Sequence, residues 1–166
     1  MEDHSPHMWR RFFKERYRQV YTNYHGLDSR LFPGAAEALQ ALKDRGLGMA
    51  IVTSKSLKST SRIVQAAGIN GYFDTIVTAD HVTRHKPDPE PILKALEVLG
   101  VTAQEAVYIG DARFDVQAAS CAGVPMIGVS WGAGTREDLV PGCVRVMDSW
   151  SELLDWARAL PPNGGV

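Results

Sequence analysis

From residue 33 onward, short apolar runs alternate with segments of about ten residues whose apolar positions recur at threes and fours. The span from Ala35 to Arg45 is rich in Ala and Leu and is followed by Gly46, a residue suited to closing a helix. The spacing predicts further helices over 57–67, ended by Gly68, over 89–99, over 114–122 and over 150–160. Asp88 is the expected cap of the helix over 89–99, with Pro89 in its first turn and Gly100 past its end; Ser149 is the expected cap of the last. Between them, Leu47–Val52, Phe73–Thr78, Ala106–Ile109, Pro125–Val129 and Val144–Met147 read as strands. Strands that alternate with helices predict βαβ units, hence an α/β fold with a parallel sheet covered on both faces. Upstream, Trp9, Phe12, Phe13, Tyr17, Val20 and Tyr24 form an apolar stripe that predicts an amphipathic helix, interrupted at Gly26 and again at Pro33-Gly34. The chain therefore divides into a leading segment (1–27), a core (28–160) and a Pro/Gly-rich tail (161–166) for which disorder is expected.

Composition changes this picture little. The 166 residues are enough for one domain with a sizeable core, and 45% hydrophobic with 22% charged residues is a globular profile. A net charge of −1 leaves no electrostatic footprint for nucleic acid, so Arg10, Arg11, Lys14, Arg16 and Arg18 read as the solvated back of the leading helix. The apolar runs fall far short of the roughly 20 residues of a membrane helix, and the polar start Met1-Glu2-Asp3-His4-Ser5 is unlike a secretory signal. Neither nucleic acid nor membrane is an expected partner. Cys121 and Cys143 lack metal-site spacing; a disulfide between them stays open, with two incidental thiols and a cytoplasmic location as the expectation.

Ligands of open parallel sheets bind beyond the carboxyl ends of the strands. There the chain places Thr53-Ser54-Lys55, then Arg84-His85-Lys86-Pro87-Asp88-Pro89, then Gly110-Asp111 with Asp115 four residues on. Each has a bland alternative. Thr53 could be a turn residue or cap, Lys86 a solvated charge, Asp111 a turn former and Asp115 an exposed helix residue. Together, hydroxyls and amines suit phosphate oxygens, while paired carboxylates suit Mg²⁺, a hard cation that prefers oxygen.

The segments Ile51-Val52-Thr53-Ser54-Lys55, His85-Lys86-Pro87-Asp88-Pro89 and Gly110-Asp111-Ala112-Arg113-Phe114-Asp115 resemble the second, third and fourth motifs of the haloacid dehalogenase superfamily. The run Val82–Leu96 is most similar to its phosphoglycolate phosphatase and pyrophosphatase branch, whose members carry a helical cap. The resemblance implies a Rossmann-like core, with the leading segment as the last helix of a cap. It implies that Thr53 binds the transferring phosphoryl group of a small phosphorylated substrate and that Lys86 neutralises it. It assigns Mg²⁺ to Asp111, with Asp115 acting through water or orienting the ligands, and offers Ser54 and Lys55 as further phosphate contacts.

The family's first motif, an Asp-x-Asp closing a hydrophobic strand, has no counterpart. None of the 11 aspartates is followed two residues later by another. In the family the first of those aspartates is the nucleophile and the second the general acid/base, so the expectation is an N-terminally truncated member with negligible turnover. The rival reading is a non-catalytic phosphate sensor or a decayed gene fragment. In the family the strand that bears the first motif lies between those that correspond to the strands ending at Thr53 and Gly110. The core is then expected to pair those two strands directly, to borrow a strand from a partner or second copy, or to be marginally stable. Trp131 and Arg136 are expected to pack the loop that holds them.

Overall fold

The computed structural model describes residues 31–161. The leading helix, the cap assignment of residues 1–27 and nearly all of the tail lie outside them. Six helices and five strands follow in chain order: α1 (Ala35–Asp44), β1 (Ala50–Val52), α2 (Leu57–Ala66), β2 (Thr75–Val77), α3 (Glu90–Leu99), β3 (Tyr108–Gly110), α4 (Arg113–Ala122), β4 (Met126–Val129), α5 (Arg136–Leu139), β5 (Arg145–Met147) and α6 (Trp150–Ala159). The fold is α/β with parallel strands, as the alternation predicts.

Local chemistry sets the ends. Ser56 and Ser149 accept N–H bonds from Ser59 and Glu152, satisfying helix donors that would otherwise lack partners. In α1, Ala38 and Leu42 share one face and are buried, while Glu37 in the first turn and Lys43 in the last complement the helix dipole. Asp88 is not the cap of α3. Pro89 holds that position, and Asp88 acts one step away by accepting the Glu90 N–H at 2.9 Å. The strands are shorter than their apolar runs. Leu47 bonds back to Leu42, and Thr78 serves as the cap of a short 3-10 turn, so neither joins a ladder.

The strands form two sheets. β1 pairs with β2, and β3–β4–β5 form the other, all parallel. Among the described residues β1 and β3 do not pair, which removes direct closure of the sheet from the expected outcomes. Helices cover both faces of the three-stranded sheet, and one of these layers also reaches β1 and β2. On one face, Ile92 and Leu96 of α3 and Ala118 and Ala119 of α4 enclose Met126, with Val52, Tyr108 and Val146 against them. On the other, Ala38 of α1 and Leu153 of α6 cover Ile127 and Met147, joined by Val107, Ile109, Trp131 and Trp150. Alternate residues of β3, β4 and β5 thus enter opposite cores. Helix α3 packs on β1, on β2 and on α4, bridging the break.

Candidate functional site

Three of the predicted residues converge at the end of β3. The loop carrying Lys86 is anchored by Glu90, whose carboxylate accepts the N–H groups of Thr83 (2.8 Å) and Arg84 (3.0 Å). The Thr83 bond, reinforced by the Arg84 side chain, holds the Glu90 carboxyl below its usual range. From this loop Lys86 Nζ reaches Asp115 Oδ1 at 2.6 Å. Only 13% of the lysine side chain and 7% of the aspartate side chain remain exposed, so this pair is shielded from the screening that weakens surface ion pairs.

Asp115 sits in the first turn of α4, where its charge suits the helix N-terminus. Its Oδ2 accepts the N–H groups of Asp111 (3.3 Å) and Ala112 (3.1 Å). Gly110 is required beneath it, because a Cβ there would lie 2.7 Å from Asp115 Cβ. Tyr108, which the sequence reading passed over as part of an apolar strand, completes the cluster. Its hydroxyl accepts from Lys86 Nζ at 3.1 Å and donates to Asp115 Oδ1 at 3.0 Å. Burial first, then the Asp115 charge, raises the phenol's pKa well above its ordinary value. The signal was one polar hydroxyl two residues before Gly110-Asp111.

Asp111 is clamped by the loop after β4. Its Oδ2 accepts the Ala133 N–H at 2.7 Å, and its carbonyl accepts the Gly134 N–H at 2.9 Å. A Cβ on Gly132 would lie 2.0 Å from Asp111 Oδ2, so only glycine permits this approach. Trp131 and Arg136 brace the loop from either end. The indole rings of Trp131 and Trp150 lie 5.1 Å apart, and Arg136 pairs with Asp148.

Thr53, Ser54 and Lys55 follow β1, on the other sheet. The Thr53 N–H donates to Val77, and its Oγ1 accepts the Lys55 N–H at 3.2 Å. Ser54 and Lys55 are exposed. The described residues therefore split the predicted site. Lys86, Asp111, Asp115 and the unforeseen Tyr108 stand together, while the hydroxyls stand beyond the break between sheets.

An ammonium has three donors, and Asp115 and Tyr108 take two, which leaves one for an anion. For Mg²⁺ the fit is partial. Both Asp115 oxygens are engaged, so of these two carboxylates Asp111 Oδ1 is the oxygen left for a cation. Those residues contain no cluster of three or more acidic, His or Cys side chains. Mg²⁺ commonly takes one or two carboxylates, completing its shell with water and phosphate. Cys121 and Cys143 are both free thiols, so the disulfide alternative does not hold.

Comparison with known proteins agrees with the motif reading. Residues 2–129 match the family described as haloacid dehalogenase-like hydrolase. A phosphoglycolate phosphatase of Thiobacillus denitrificans is 41% identical over 116 residues, covering 70% of this chain and 51% of that protein. A relative in Clostridium perfringens with a provisional pyrophosphatase name, PpaX, is 38% identical over 123 residues, covering 74% of this chain and 58% of its own length. The solved structure of CbbY from Rhodobacter sphaeroides in complex with phosphate superposes with a TM-score of 0.68 at 31% identity, over 75% of this chain and 56% of that one. The chain thus spans about half the length of the curated relatives it matches. With a profile match across most of its residues and strand ends that carry the same chemistry, this chain belongs to the haloacid dehalogenase-like hydrolases.

Proposed function

We propose that this chain carries the phosphate- and metal-binding half of a phosphatase site for small phosphorylated metabolites, and that by itself it binds phosphate without turning substrate over. The observation that supports this most directly is Lys86 Nζ, fixed by Asp115 and Tyr108 with one donor left for an anion. Thr53, Ser54 and Lys55 add hydroxyl and amine donors at the end of β1, and Asp111 offers a carboxylate oxygen for Mg²⁺. When bound, Mg²⁺ would draw non-bridging phosphate oxygens and offset their charge. Turnover is absent from the proposal because no Asp-x-Asp supplies a nucleophile beside a general acid/base. The cytoplasm is the proposed compartment, in keeping with two unpaired thiols. Among the described residues no helix is long and apolar enough to cross a membrane.

Calorimetric titration with inorganic phosphate, with and without Mg²⁺, tests the reading. Binding that strengthens with Mg²⁺ and disappears in Lys86→Met, with no release of nitrophenol from p-nitrophenyl phosphate, is the expected result. Phosphate binding unchanged in that variant would remove Lys86 from the site. Steady hydrolysis by the wild-type chain would replace the sensor reading with an active enzyme.

A further inference from the structure

The segment that follows β1 is held in shape from the end of β2. Thr53 gives its N–H to the Val77 carbonyl at 2.9 Å, and the Lys55 carbonyl accepts the Ala79 N–H at 3.0 Å. The third tie is a carboxylate: Asp80 Oδ2 accepts the Leu57 N–H at 2.7 Å. Leu57 is the first residue of α2, whose first turn has no acidic side chain of its own. Asp80 therefore brings a negative charge from another element to the positive end of α2, beside the Ser56 cap. Asp80 is itself aimed. It lies in the 3-10 turn Ala79–His81, capped by Thr78, which is 1% exposed. The Thr78 hydroxyl accepts the Asp80 N–H at 3.3 Å, and the Thr78 N–H donates to His81 Nδ1 at 3.1 Å. Lys94 of α3 donates to the His81 carbonyl at 2.9 Å. The turn thus joins the Thr53-Ser54-Lys55 segment on one side to α3 on the other, and Glu90 of α3 anchors the loop that carries Lys86. Asp80 is exposed, so core packing does not call for it at this place.

We infer, building on the phosphate reading above, that Asp80 is a positioning residue for the anion site. It acts through the Leu57 N–H: by fixing the start of α2 it sets where Thr53, Ser54 and Lys55 present their donors to a phosphate held by Lys86. Thr53 Oγ1 already accepts the Lys55 N–H, which orients the hydroxyl and leaves its own proton for an anion. Charge and placement pull in opposite directions here. As a bare anion beside a phosphate site Asp80 would repel the ligand; as an anchor it favours binding by holding donors in place. The sign of its effect on phosphate affinity therefore tells the two apart.

Calorimetric titration of inorganic phosphate, in the presence of Mg²⁺, into the full chain and three variants decides it. Asp80→Ala removes the acceptor. Asp80→Asn keeps an oxygen for the Leu57 N–H and discards the charge. Leu57→Pro removes the donor instead, at the first helical position, where proline is favoured and where the extended Ser56 before it suits a proline. The expected result is phosphate binding weaker by about tenfold in Asp80→Ala and in Leu57→Pro, the worth of about one hydrogen bond, with Asp80→Asn at least as tight as the wild type. Leu57→Pro is expected to keep its urea midpoint, so its loss of binding is not a loss of fold. Unchanged affinity in either Asp80→Ala or Leu57→Pro would make the tie a helix anchor only and overturn the inference. Tighter binding in Asp80→Ala would overturn it as well, since repulsion would then be the main effect. In both of those cases the wild type still binds phosphate and the phosphate reading stands. No binding by the wild type would remove that reading, and the role of Asp80 with it.

Discussion

Replacing Tyr108 by phenylalanine removes a hydroxyl that bridges Lys86 Nζ and Asp115 Oδ1 but leaves their 2.6 Å contact in place. The expected cost is about 1.5–3 kcal/mol in urea unfolding, the worth of a hydrogen bond to a charged group. The same residue sets an alkaline limit. Its folded pKa lies above the unfolded value of about 10, so its contribution is complete below that pH and is lost as pH rises toward the folded value. Unfolding series between pH 9 and 11 are expected to show a steeper loss in the wild type than in Tyr108→Phe. Lys86→Met is the harsher change. It strands the buried Asp115 charge, at a cost of about 3–5 kcal/mol by the same assay. Lys86 and Asp115 were legible in the sequence because charged residues at strand ends are conspicuous against apolar runs. Tyr108 was not, since aromatic residues are ordinary in strands, and only the fold shows that its ring ends at two charges.

Elements were legible in type and order, and less so in extent. A run such as Leu47–Val52 gives the apolar stretch, but the ladder needs a neighbour, and Val107 has its backbone turned toward the break, where the described residues supply none. The short helix Arg136–Leu139 escaped because its one buried residue, Leu139, gives no periodicity to detect. Helix α3 is the element whose packing is most consequential. Ile92 is 2% exposed in the core that joins both sheets, so Ile92→Ala is expected to cost about 2–5 kcal/mol, measured as a drop in chemical-denaturation midpoint with an unchanged slope. The loop over Asp111 offers a gentler test. Gly132→Ala would place a Cβ 2.0 Å from Asp111 Oδ2, and its expected effect is weaker Mg²⁺-dependent phosphate binding in calorimetry, at a stability cost of about 1–3 kcal/mol.

For the whole molecule, the sequence pattern established a parallel α/β core and the order of its functional loops. Its hydrophobic runs carried no information about which strands touch, since a buried strand reads the same whichever neighbour it has. The gap between β1 and β3 was expected from the family resemblance and not from the hydrophobic pattern, and among the described residues those two strands stay unpaired. This gap also puts the strands that end at Thr53 and at Gly110 in different sheets, while Lys86, on the loop after β2, pairs with Asp115 beyond β3. One helix links these regions. Glu90 begins α3 four residues after Lys86, and α3 rests on β1, β2 and α4 together. Its near end carries the loop that holds the Lys86 ammonium against Asp115, so one helix seats the cation and spans the seam between the sheets at once.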